Sequence, residues 1–240
     1  MNTKFNIISI GGGEIQNRDT EIIDRYIIAQ AKKKNPNVLF IPIASDNNHD
    51  YILSFVEYYG SFLKCNVDTL LLTPDIIQSI IENKINHADI VYFGGGNTEY
   101  LLKMIGLTNL IEIIKNHPEK IYTGLSAGAI FWGKYAHSDS FSSKEYFNTC
   151  FLKGVSIIDV ALSPHLNTET NRLYEFIHYL KEYKIQKGIA IDDNCAIHFF
   201  GNDIVNIISG DQYSSAYNIS IDKNGKVCIK NIYPLSSKNK

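Results

Sequence analysis

Short, almost uninterrupted apolar runs alternate with segments of helical period along most of this chain, and that alternation restricts it to an α/β architecture. Phe5–Ile10 and Val38–Ile43 are the clearest such runs, and Asn66–Leu72, Ile90–Phe93, Lys120–Thr123 and Gly188–Ile191 read as further strands. Strands that are apolar on both sides belong to a sheet covered on both faces. Helices are predicted between them over Thr20–Lys33, Asp50–Phe62, Thr98–Ile105, Leu110–Asn116, Ala127–Lys134 and Asn171–Lys181. Another is expected to run to Glu82 from Thr73 as N-cap, with Pro74 in the first helical position. From Ala196 the pattern changes to a β-hairpin around Gly201-Asn202-Asp203, and Val227–Ile232 adds one more alternating strand. The expectation is one domain over residues 1–240. It is a three-layer, mostly parallel sheet with helices on both faces and antiparallel C-terminal edge strands.

A chain of 240 residues with 45% hydrophobic and 20% charged residues can bury such a core without disulfides or metal. The 23 basic and 25 acidic residues are well mixed and the net charge is −2, which argues against a nucleic-acid or membrane-surface partner. Cys65, Cys150, Cys195 and Cys228 lie far apart, without the short spacing of zinc or redox sites. Reduced thiols in a cytoplasmic protein are the expectation. The N-terminal apolar run is too short for a signal peptide, and no stretch of about 20 apolar residues occurs. Arginine is scarce: only Arg18, Arg25 and Arg172.

Gly124-Leu-Ser126-Ala-Gly128 fits the pattern G-x-S-x-G and lies between an expected strand and an expected helix. A serine on so tight a turn is pushed outward, and the helix that follows offers free N–H groups to a developing oxyanion. The plain alternative is a small-residue turn that only joins strand to helix. A nucleophilic serine needs a base. His49, His87 and His117 fall in polar loops or at helix ends, His178 on an amphipathic helix and His198 in a strand; His137 is possible. His165 differs, because Ser163-Pro164 ends the apolar run Ile157–Leu162 and leaves it in a strand-end loop. Such loops are where sites assemble in open α/β sheets. The Gly94–Gly96 loop also ends a strand and could aim a backbone N–H at Ser126. Gly11-Gly12-Gly13-Glu14-Ile15-Gln16 fails the dinucleotide fingerprint at Gln16 and lacks the Lys-Ser/Thr of a phosphate loop.

In this order, Ile8–Gly13, Tyr92–Thr98 followed by Leu101-Leu102, Gly124–Ala129 and Ser163-Pro164-His165 resemble the peptidase E family of serine peptidases. That family includes aspartyl dipeptidases and cyanophycinases. Gly188–Ala196 is similar to the family's strand ending in an acidic residue. The resemblance implies a flavodoxin-like α/β fold related to class I glutamine amidotransferases. It implies Ser126 as nucleophile, His165 as general base, and oxyanion donors at Ala127 and at Gly95 or Gly96. The third member of the triad stays open between Asp193, which is favoured although the family usually has Glu there, and Asp139, thirteen residues after Ser126. Arg172 and Asn97 are the implied substrate-binding residues, Arg172 because dipeptidase members carry a similar Arg toward an acidic side chain.

The expected activity is hydrolysis of short peptides, such as dipeptides with N-terminal Asp, without metal or organic cofactor, by a monomer or homodimer. A histidine base predicts activity falling below roughly pH 6–7. Two rivals stand beside this reading. One is an α/β-hydrolase esterase with a late base such as His198. The other is a non-catalytic ligand-binding relative of the same fold.

Overall fold

A computed structural model describes residues 3–140 and 149–233. The chain opens with β1 (Asn6–Ile10), α1 (Glu21–Gln30), β2 (Asn37–Ile41), α2 (His49–Phe55), β3 (Asn66–Thr69) and α3 (Gln78–His87). It continues through β4 (Ile90–Phe93), α4 (Thr98–Leu107), α5 (Leu110–Lys115), β5 (Ile121–Leu125) and the single turn α6 (Ala127–Ile130). Then come β6 (Gly133–Ser138), β7 (Cys150–Lys153), β8 (Ile158–Ser163), α7 (Arg172–Glu182) and β9 (Lys187–Ile191). The described chain ends with β10 (Cys195–Phe200), β11 (Asp203–Ser209), β12 (Ala216–Ile221) and β13 (Val227–Ile232).

Side chains of the first sheet alternate between two cores, as the two-residue period of a strand requires. Ile8, Ile10, Val38, Phe40, Ile90 and Tyr92 pack with Ile23 and Ile27 of α1 and with Phe55, Tyr58 and Tyr59. Their neighbours Ile7, Leu39, Ile41, Val91 and Phe93 pack with Ile81, Leu101, Met104 and Ile113 on the other face. Both faces are covered, which is why the strands read as continuous apolar runs. The sheet order is β11-β10-β1-β5-β4-β2-β3, with the five strands from β1 to β3 parallel and β10 and β11 antiparallel at one edge.

This is the expected flavodoxin-like layering, with one feature the sequence did not announce. A second sheet, ordered β13-β12-β9-β8-β6-β7, takes up the remaining strands. Its origin lies in the segment after Ser126. The helix expected to reach Lys134 stops at Ile130, and Gly133 begins β6 against β8, so close to Val160 O that a Cβ there would crowd it at 2.8 Å. Two other expectations shift. The helix expected from Thr73 begins only at Gln78, because Ile77 is extended (ψ 125°) and the Thr73 segment makes only a turn. The helix expected over Asp50–Phe62 widens to a π-helix at Val56–Phe62, a form that lets the adjacent Tyr58 and Tyr59 both reach Asp24. Among the described residues no helix is long and apolar enough to cross a membrane.

Two register facts place the site. In the first sheet Ile10 pairs with Leu125, so the loops after β1 and β5 emerge side by side. In the second, Ser163 pairs with Ala190, so the loops after β8 and β9 do the same. Backbone hydrogen bonds from Gly11 N–H to Cys195 O and from Asn194 N–H to Gly12 O join the two pairs of loops at the carboxyl ends of their parallel strands.

Candidate active site

Ser126 occupies the residue between β5 and α6 in a strained conformation, φ 53° and ψ −111°. Non-glycine residues rarely adopt it, and such strain persists only where the surroundings enforce it. Here its N–H is held by Ile10 O at 3.0 Å, and the flanking glycines leave no room for a side chain. A Cβ on Gly124 would strike Gly128 O, and one on Gly128 would strike Phe93 O. The G-x-S-x-G spacing is therefore a packing requirement of the turn. It leaves the serine hydroxyl as the group that projects into the cleft.

Ser126 Oγ lies 2.7 Å from His165 Nε2, and His165 Nδ1 lies 2.6 Å from Asp193 Oδ1. An ionised carboxylate only accepts, so Nδ1 carries the proton and the neutral ring presents Nε2 as acceptor to the serine hydroxyl. Burial alone would raise the Asp193 carboxyl, but the hydrogen bond from His165, the positive charge that ring carries when protonated, and the hydrogen bond from Thr168 outweigh it and hold the group below its usual range. Thr168 Oγ1 donates to Asp193 Oδ2 at 2.9 Å, and Asp193 N–H donates to Asn167 Oδ1 at 2.8 Å. Adjacent Asp192 turns the other way. It accepts Ser215 N–H at 2.9 Å and anchors the loop before β12, and burial raises its carboxyl. The first glycine loop also has a part here: a Cβ on Gly12 would overlap both Asp193 Oδ1 and His165 Nδ1.

The cleft around these groups has a volume of about 780 Å³ and includes Ser126, His165, Asp193, Gly95, Gly96 and Tyr51 in its lining. Of the expected backbone donors, Gly95 N–H is engaged by the Tyr51 hydroxyl at 3.2 Å. Gly96 N–H and Ala127 N–H have no protein partner among the described residues. Ala127 begins α6, where such unpaired donors are expected.

Other expected residues lie elsewhere. Asp139 is exposed at the end of β6 and does not meet His165, whose Nδ1 is taken by Asp193. The residues on either side of it, Ser138 and Ser140, bind Thr98 at the start of α4. Arg172 is 2% exposed and does not line the cleft. It spends Nη1 on Glu169 at 2.5 Å and Nη2 on the His137 carbonyl at 2.9 Å, so the expectation of a substrate-binding arginine is corrected to a buried tie between α7 and β6. Asn97 is likewise corrected: it caps α4 by accepting Tyr100 N–H at 2.8 Å and does not line the cleft.

His137 is buried between Ser163 and Thr149, and burial pushes its imidazole well below the usual value. His198 is paired with Tyr26 and Asn6, so it cannot serve Ser126 as an α/β-hydrolase reading required. Sequence reasoning missed Thr168, Asn167 and Tyr51. Each sits in a loop or helix with no motif around it, and only the folded contact gives it a part.

A model of peptidase family S51 matches residues 7–207. The uncharacterized peptidase YgaJ of Bacillus subtilis (strain 168) is 29% identical over 222 residues, covering 89% of this chain and 91% of its own length. Two crystal structures share the fold. A peptidase from an acI-B1 Actinobacterium superposes with a TM-score of 0.69 at 18% identity, over 98% of this chain and 97% of its own. A candidate peptidase E protein from Listeria monocytogenes EGD-e gives 0.59 at 21% identity, over 84% of this chain and 97% of its own. With a family model spanning most of its length and a matching fold, the chain belongs to peptidase family S51, the peptidase E family.

Proposed function

We propose that this peptidase is serine-type and hydrolyses short peptides through an acyl-enzyme on Ser126. The observation that carries the reading is the continuous line Ser126 Oγ, His165 Nε2, His165 Nδ1, Asp193 Oδ1, with contacts of 2.7 and 2.6 Å. Ser126 Oγ bonds to the scissile carbonyl carbon as its proton passes to His165 Nε2, and the carbonyl oxygen takes the electron pair. Gly96 N–H and Ala127 N–H are the donors available to that oxyanion. When the C–N bond breaks, His165 returns the proton to the departing amine. Water then attacks the ester carbon, gives a proton to His165 and releases the acid, and Ser126 Oγ recovers its hydrogen.

Asp193 holds the imidazole in the tautomer this requires and stabilises its cation. The reaction needs no metal or organic cofactor, and we read the enzyme as cytoplasmic, a monomer or homodimer of one domain. A preference for N-terminal Asp depended on Arg172, which is committed to Glu169 and His137, so it is not part of this reading.

Replacing Ser126 with Ala should abolish peptide hydrolysis while leaving the melting curve intact, and a fluorophosphonate should label Ser126 in the native chain alone. A non-catalytic relative would take no label. Full turnover in the Ala variant would refute the proposal.

A further inference from the structure

We propose that Tyr51 is a further catalytic residue, its phenol O–H donating a hydrogen bond to the oxyanion that forms when Ser126 attacks. The inference rests on the serine-peptidase reading above and adds a side-chain donor beside the backbone ones.

Four successive N–H groups in the glycine loop have different fates. Gly94 N–H is taken by Ile41 O at 3.0 Å, Gly95 N–H by the Tyr51 hydroxyl at 3.2 Å, and Asn97 N–H by Ala44 O at 2.7 Å. Of the four, Gly96 N–H alone has no protein partner among the described residues. Gly95 N–H therefore acts toward the cleft only through the phenol.

A phenol has one hydrogen to give and lone pairs with which to accept. Tyr58 and Tyr59 give theirs to Asp24, Tyr122 to His117 O and Tyr179 to Thr149 O. Tyr51 accepts instead, and among the described residues no acceptor lies within hydrogen-bond reach of its own hydrogen. It lines the cleft together with Gly95, Gly96 and Ser126, so that hydrogen is available to a bound peptide. Accepting from Gly95 polarises the O–H and strengthens it as a donor.

Packing sets its place. Asn48 caps α2 by accepting Tyr51 N–H at 2.9 Å, and the ring stands edge-on to Phe40 with centroids 5.2 Å apart. A Cβ on Gly94 would lie 2.9 Å from the Tyr51 ring, so glycine there lets the ring approach the loop. Gly95 borders the nucleophile: a Cβ on it would lie 3.7 Å from Ser126 Cβ. The phenol oxygen is thus one hydrogen bond removed from a neighbour of Ser126. Burial pushes the phenol up to about 12, opposed by the Gly95 hydrogen bond and helped by the charges of Glu14 and Asp24. Where His165 works as a base, Tyr51 is a neutral donor, and its proton is shared with the oxyanion and stays on the phenol.

Tyr51→Phe keeps the ring and removes only the hydroxyl. Losing one oxyanion donor should lower kcat about a hundredfold. KM should stay near the parent value, because the bond strengthens only as charge develops. The rate at which a fluorophosphonate labels Ser126 should fall in parallel, since its phosphoryl oxygen takes the same donors. A fluorinated tyrosine at position 51 separates a donor from a prop. Its more acidic phenol donates better and accepts less well, so kcat should hold or rise near neutral pH and collapse as the phenolate forms. A hydroxyl that only held the loop would accept from Gly95 better as phenolate, and the rate would survive.

A kcat within about threefold of the parent in Tyr51→Phe, a loss confined to KM, or a rate retained by the fluorinated phenolate would overturn the inference. Any of these with Ser126 still labelled and essential would leave the serine-peptidase reading standing. Peptide hydrolysis that survives Ser126→Ala in a chain taking no label would overturn both.

Discussion

Thr168 donates its hydroxyl to Asp193 Oδ2 at 2.9 Å while His165 Nδ1–H holds Oδ1, so both oxygens of the carboxylate are fixed in one orientation. The backbone reinforces this, because Thr168 N–H and Glu169 N–H both bond the His165 carbonyl. One short loop thereby supplies the histidine and sets the geometry of its partner.

Thr168→Val removes the donor while keeping the shape. A hydrogen bond to a charged group contributes about 1.5–3 kcal/mol, part of it expressed as the imidazolium forms, so kcat should fall roughly tenfold with KM little changed. Thr168→Ser should recover most of the rate, and a purely structural part would not separate the two variants. The pH response has a definite sign. Asp193 is depressed in the folded state, so its contribution to stability is present above the ordinary carboxylate value and lost as pH falls through the folded one. Valine shrinks that contribution, and acid unfolding should begin at higher pH, as circular dichroism would record.

Two acids competed for the third position, and their surroundings separate them. Asp193→Asn keeps the shape but offers an amide to Nδ1, favouring the wrong tautomer; kcat should drop on the order of a thousandfold or more. Asp139 is exposed and away from His165, so Asp139→Asn should stay within about twofold of the parent, as exposed substitutions usually do. Steady-state hydrolysis by the pair decides the matter; a large loss in the Asp139 variant alone would reverse the assignment.

Arg172 should behave as a structural residue. Arg172→Met leaves the His137 carbonyl without a donor and Glu169 without its cation. Breaking such a tie costs about 3 kcal/mol, or roughly 10 °C in Tm for a chain of this size. The ratio of rates on acidic and neutral dipeptides should not move. A selective loss on acidic peptides, with Tm unchanged, would return Arg172 to the substrate.

What could be read from the sequence was local. The strand–turn–helix around Ser126 is encoded within five residues, because Gly124 and Gly128 each face backbone that excludes a side chain. His165 was legible because Pro164 ends its strand. The part of Gly12 was not legible, since its close neighbours Asp193 and His165 lie more than 150 residues away and meet it only after two sheets have formed. The second sheet was hidden for a similar reason: β6 begins only two residues after α6, and Phe131-Trp132 between them look like a continuing helix. Arg172 misled because burial by α7 and β6 is a tertiary property. Scarcity made it conspicuous without saying which way it points.

Away from the cleft, Asp24 gives the stability curve a testable feature. It is fully buried and accepts hydroxyls from Thr20, Tyr58 and Tyr59 at 2.8, 3.0 and 2.5 Å, yet burial still raises its carboxyl from 3.8 to about 6. A raised folded value means the native state binds the extra proton. The stabilisation is fully present below pH 3.8 and is lost as pH rises through about 6. A shift of this size corresponds to about 3 kcal/mol in all, of which roughly 2 kcal/mol falls between pH 4 and 7. Asp24→Asn cannot ionise and can still accept the tyrosine hydroxyls. Urea unfolding at pH 4, 5, 6 and 7 should therefore show parent stability falling relative to the variant by roughly 2 kcal/mol over that range. Parallel curves would mean that the three hydroxyls offset burial completely and that Asp24 stays ionised throughout.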